Sequence, residues 1–173
     1  NSRDGRVNWA LSTLESTLAH ATDFFNSSNI VISDDNIFFS SKSTFFSYNL
    51  NTGQNNWRQK VSSVGVPIID GKNIFVVTKN GFFVILEKDT GKIVSSVNIL
   101  KILKTKQQAT RITGFIMGSG KIYSVTSNGY LIVNSPISGK VESFKKIGDP
   151  VISSPIINNG NLYILTKNSR ILG

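Results

Sequence analysis

The chain has 173 residues, enough for one domain with a core of its own, and 39% of them are hydrophobic, with 11 Phe; a composition dominated by Val, Ile, Phe, Tyr, Ser and Thr does not suggest disorder and favours strands over helices. Lys and Arg total 19 against 10 acidic residues, a net charge of +9, but the basic residues are scattered singly through turns with no Arg-rich arm, which reads as a solvated basic surface and not as a nucleic-acid-binding one. With no Cys there is no disulfide, thiolate metal site or Cys nucleophile, and no apolar run approaches the roughly 20 residues needed to cross a bilayer.

Taken in chain order, residues 1–11 read as the last strand of a preceding blade. Asn1, Gly5, Asn8 and Trp9 repeat Asn49, Gly53, Asn56 and Trp57 at identical spacing. Residues 10–29 are a connecting loop in which Leu11, Leu14, Leu18 and Ala21 have helical spacing, interrupted by Ser and Thr. A blade is predicted over 28–61, with strands at 29–33, 36–40, 44–49 and 55–61. A second occupies 64–97, with a hairpin at Asn80-Gly81 expected to form a type I′ turn. An insertion at 99–108 precedes a third blade over 110–147, whose Asn128-Gly129 hairpin repeats the same signal. The fourth, 149–173, is incomplete and reaches only the start of its third strand at 170–172.

The glycines that mark the repeat, Gly5, Gly53, Gly91 and Gly139, recur at the roughly 40 to 50 residue period of propeller blades. A tight turn between third and fourth strands needs Gly, which accepts a left-handed backbone at little cost. Trp57, four residues later on the outermost strand, is predicted to lay its ring over that glycine and the neighbouring blade. Ser95 and Ser143 replace Trp after Gly91 and Gly139.

The stretch Ser47, Asn49, Thr52, Gly53 and Trp57 resembles the tryptophan-docking motif of the PQQ-type (quinoprotein) β-propeller repeat. Within that superfamily the strands at 71–81 and 120–129 look most like those of the BamB-type outer-membrane assembly lipoproteins. The resemblance implies a non-enzymatic scaffold for protein–protein interaction in outer-membrane β-barrel assembly, without cofactor or metal, with components or substrates of the assembly machinery as partners. It also implies a periplasmic, outer-membrane-associated location, reached only through a lipid anchor or a partner. The structural docking residues it assigns are Asn1, Gly5, Trp9, Asn49, Thr52, Gly53, Trp57, Gly91 and Gly139. Two alternatives stay open: a fragment of a PQQ-dependent dehydrogenase, whose calcium cluster is hard to assemble from carboxylates scattered in turns, and a generic propeller binding module.

Other features are weaker. Gly118-Ser119-Gly120-Lys121 resembles a phosphate loop but lacks its spacing, and reads as a turn. His20 is the only histidine and has no supporting constellation. Asp23, Asp34 and Asp35 lack the alternating spacing of a calcium loop. The doublets Phe24-Phe25, Phe38-Phe39, Phe45-Phe46 and Phe82-Phe83 fit strands buried on both faces. The candidate interaction loop is the insertion with Lys101, Lys104, Lys106 and Arg111, since loops on rigid scaffolds carry function. The expected fold is all-β, about four blades of a β-propeller amounting to half of an eight-bladed ring, with open blade edges able to self-associate.

Overall fold

The computed structural model describes residues 4–11, 27–106 and 109–173. Asn1, His20, Asp23, Phe24, Phe25 and the helically spaced Leu14, Leu18 and Ala21 lie outside the described residues.

Among the described residues fifteen strands form four antiparallel meanders, each strand paired only with its chain neighbours. The first sheet holds β1 (Val31–Ser33), β2 (Asn36–Ser41), β3 (Thr44–Asn49) and β4 (Asn55–Gln59). The second holds β5 (Ile68–Asp70), β6 (Asn73–Val77), β7 (Phe82–Glu87) and β8 (Ile93–Asn98), and the third β9 (Ile112–Gly118), β10 (Lys121–Thr126), β11 (Tyr130–Asn134) and β12 (Val141–Lys146). The fourth has three strands, β13 (Ile156–Asn158), β14 (Asn161–Leu165) and β15 (Ile171–Leu172).

The sheets stack face to face, and period-two alternation divides each middle strand between two interfaces. Along β6, Ile74 and Val76 join Phe38, Phe45 and Trp57 of the first sheet, whereas Phe75 and Val77 join Phe115, Ile122 and Ile132 of the third. Val84 and Leu86 of β7 face the first sheet, and Phe83 and Ile85 the third. A smaller cluster of Val125, Val151 and Ile164 joins the third sheet to the fourth. Double-sided burial is why these strands read as unbroken apolar runs. Where the innermost strands crowd, a Cβ on Gly114 of β9 would lie 2.3 Å from Ser154 Cα, so only glycine fits that position without a backbone shift.

Two local expectations are corrected. The Asn80-Gly81 and Asn128-Gly129 hairpins are not type I′ turns: Gly81 and Gly129 have positive φ, but the asparagines do not. Each is a three-residue loop ending in a left-handed residue, with the preceding Thr acting as a clamp. The hydroxyls of Thr78, Thr126 and Thr166 accept the backbone N–H of Phe82, Tyr130 and Arg170, at 3.0, 2.8 and 3.3 Å. Paired positive φ values, as type I′ requires, occur instead at Ser119-Gly120 and Asn159-Gly160.

The insertion is also more than a solvated loop. Ile99–Lys106 is a 3-10 helical segment kinked at Lys104, and Ile99, Leu100 and Leu103 are buried in the core between the second and third sheets. Its apolar side completes that interface while Lys101 and Lys104 stay exposed.

Candidate functional site

The recurring motif resolves into two devices. The first closes the turn: Asn49 Oδ1 accepts the N–H of Asn51 and of Thr52, at 3.0 and 2.9 Å, and the Thr52 hydroxyl at 3.1 Å. Ser135 does the same in the third sheet, accepting the N–H of Ile137 and Ser138. Short polar side chains that bond their own backbone two or three residues on are the standard means of fixing such a turn.

The second device joins the sheets, and here one expectation is overturned. Trp57 does not cover its own Gly53. It sits over Gly91 of the next sheet, where an added Cβ would lie 2.3 Å from the indole, and its N–H donates to the Lys88 carbonyl at 2.9 Å. Trp9 stands in the same relation to Gly53, with a 2.7 Å approach and an N–H bond to the Leu50 carbonyl at 2.9 Å. The indole reaches across the interface because its own sheet supplies Phe38 and Phe45, with ring centroids 6.1 and 6.0 Å away, to support its other side.

At the next interface Ser95 stands in the Trp position, and Gly139 meets Val97, Phe83 and Ser95 instead. A cleft of about 220 Å³ lined by Phe75, Ile85, Val94, Pro136 and Ile137 lies between these sheets, and the 3-10 segment supplies much of the apolar contact that holds them.

Of the predicted interaction loop, Lys101, Lys104 and Arg111 are exposed, and the side chain of Lys106 is outside the described residues. The structure adds what one-dimensional order hid. In a stack of meanders, the turns between first and second and between third and fourth strands fall on one rim. The turns between second and third strands, and the connections between sheets, fall on the other. Asp34, Asp35, Asp70, Glu87, Asp89 and Glu142 all belong to the first rim, mixed with Lys72, Lys88, Lys92, Lys121 and Lys140.

Two ion pairs organise that first rim. Lys88 Nζ meets Asp34 Oδ2 at 2.7 Å across the first interface, and Lys121 Nζ meets Glu142 Oε2 at 2.6 Å within the third sheet. The hydrogen bond from Lys88, reinforced by its charge, holds the Asp34 carboxyl below its ordinary value, and the same bond raises Lys88. The bond to Glu142, and then its charge, raise Lys121.

The second rim carries Lys42, Lys60, Lys79, Lys101, Lys104 and Lys167, all exposed. Among the described residues its one carboxylate is Asp149, which pairs with Arg170 at 3.2 Å and accepts from Asn168 at 3.1 Å. Two clefts open on this rim between the first and second sheets. One, of about 410 Å³, is lined by Ser40, Lys42, Ser62, Ser63, Val64 and Lys79. The other, of about 310 Å³, shares Ser62 and adds Lys60 and Phe82. No group of three or more His, Cys, Asp or Glu residues placed to hold a metal occurs among the described residues.

Four-stranded antiparallel sheets, stacked and tied by a Trp seated on the next sheet's turn glycine, define a β-propeller built from tryptophan-docked blades. The family described as outer membrane protein assembly factor BamB matches residues 1–97, and the chain belongs to it. A curated relative, the outer membrane protein assembly factor BamB of Legionella pneumophila (strain Paris), is 32% identical over 108 residues, covering 60% of this chain and 26% of the relative.

Among solved structures, BamB from Moraxella catarrhalis aligns with a TM-score of 0.65 at 15% identity, covering 82% of this chain and 46% of that one. Quinohemoprotein alcohol dehydrogenase from Comamonas testosteroni aligns with a TM-score of 0.59 at 16% identity, covering 68% and 20%. At those identities the structural likenesses speak to the fold alone. The chain spans about a quarter of the Legionella relative's length, at 26%, and less than half of the Moraxella protein's, at 46%.

Proposed function

We propose that this chain is part of a non-enzymatic β-propeller scaffold that makes protein–protein contacts during assembly of outer-membrane β-barrel proteins. Its partners in this reading are components or substrates of the assembly machinery, met in the periplasm at the outer membrane, where a lipid anchor or a partner holds it. The observation that carries the reading is the family match over residues 1–97. The geometry agrees with it, because the motif shared with quinoproteins is consumed in joining blades: both described indoles are committed to a glycine and a carbonyl of the next sheet. The chain then supplies about half of an eight-bladed ring, a reading that the 46% coverage of the Moraxella protein supports.

The test is made in the source organism on the full-length protein. Its deletion is expected to lower the amount of folded β-barrel proteins in the outer membrane, and the full-length gene to restore it. Unchanged β-barrel protein levels, together with stoichiometric binding of PQQ and calcium by calorimetry, would replace this reading with the dehydrogenase one.

A further inference from the structure

We propose that the basic rim, centred on the twin clefts between the first and second sheets, is a docking face for an acidic, partly apolar polypeptide segment. The proposal rests on the scaffold reading and deepens it by naming the face and the chemistry of the partner.

Three observations carry it. The first is charge segregation. Carboxylates and lysines interleave on one rim and largely neutralise each other there, whereas on the opposite rim Lys60, Lys79, Lys101, Lys104 and Lys167 share one carboxylate among the described residues, Asp149. A face of one sign over a low-dielectric sheet stack concentrates oppositely charged ligands and speeds their encounter.

The second is apolar surface on the same rim. Phe82 at the mouth of one cleft is 42% exposed and Ile102 on the 3-10 segment 39%, and Val66 and Ile152 in the inter-sheet connections are exposed as well. Lysines interspersed with aliphatic side chains match an acidic segment that also carries apolar anchors. Nucleic acid is a poorer match, because single strands are held on aromatic stacking platforms. Phe82 is the one exposed aromatic at these clefts.

The third is shape. The clefts are contiguous through Ser62, and Lys42, Lys79 and Val64 line one while Lys60 and Phe82 line the other, so an extended chain crossing from one to the other would meet both cations and apolar side chains.

The experiment uses the whole chain and a fluorescein-labelled synthetic peptide alternating Glu/Asp with Leu, read by anisotropy, with anionic phospholipid vesicles and single-stranded DNA as competitors. Lys42→Glu/Lys79→Glu alters the rim, and Lys72→Glu/Lys140→Glu makes the same change in net charge on the opposite rim. The rim pair is expected to weaken peptide binding by roughly tenfold or more and to lower its salt dependence, with the control pair within about twofold of the parent. Equal effects of the two pairs would overturn the assignment to this rim, and displacement of the peptide by DNA or vesicles at lower concentration than by unlabelled peptide would overturn the partner class. Circular dichroism of each variant establishes that it is folded. The two proposals fail separately. Rim-independent peptide binding leaves the envelope-assembly reading standing, whereas unchanged β-barrel protein levels on deletion remove that reading and leave the rim's binding intact.

Discussion

The contact between Trp57 and Gly91 makes the sharpest prediction, because two residues from different sheets share one volume. Alanine at Gly91 has two costs. Its φ of 69° is left-handed, which penalises any Cβ by about 1–2 kcal/mol, and the new Cβ would stand 2.3 Å from the indole, an overpacking that adds about 1–3 kcal/mol. Gly120 separates the two, since its φ of 68° is the same but nothing lies within 4 Å. Gly120→Ala therefore costs only the backbone part, and any gain from a stiffer unfolded chain is common to both.

Trp57→Ala alone removes a buried indole, two ring contacts and a hydrogen bond, and is expected to cost about 3–5 kcal/mol. In that background the clash is gone, so Gly91→Ala falls to the Gly120→Ala value and the double mutant shows a coupling of about 1–3 kcal/mol. Urea denaturation followed by far-ultraviolet circular dichroism measures the parent and every variant without using the tryptophan signal. Strict additivity would refute the docking geometry.

Leu100→Ala should destabilise by about 2–5 kcal/mol in the same assay, because Leu100 is 1% exposed and seated over Gly81; a loss below about 0.5 kcal/mol would mean that the insertion is merely a surface loop. Thr126→Val keeps the shape but strands the Tyr130 N–H, and is expected to cost about 1–3 kcal/mol, against less than about 1 kcal/mol for the exposed Thr52→Val. The Asp34–Lys88 pair gives a pH signature. Because the carboxyl is lowered from 3.8, its contribution is complete above that pH and drains away as pH falls through the lower folded value. The urea midpoints of the parent and Asp34→Asn should therefore differ at pH 7 by an amount that is lost in strong acid, and a difference that grows on acidification would contradict the pairing.

Much of the architecture is written in local chemistry. Turn glycines at blade period, Asn49 and Ser135 beside them, and unbroken apolar strands state that the chain makes stacked four-stranded meanders. Each of those signals acts over a few residues, through positive φ, side-chain-to-backbone bonding and burial on two faces. The threonine clamps were equally local, in the repeated Thr before each three-residue loop, but the neighbouring Asn-Gly pairs obscured them.

What tertiary structure alone decided is relational. Which glycine an indole covers depends on how one sheet sits against the next, so Trp57 serves Gly91 and not Gly53. Leu100 and Leu103 of the insertion fill an interface that lacks a tryptophan, a role that only the packing of the second sheet against the third reveals. Above all, basic residues that are scattered along the chain are gathered in space. Every second turn of a meander returns to the same rim, and the chain places nearly all its described carboxylates in the alternate turns. Composition set the net charge, and only the stacking of the sheets turned it into a face.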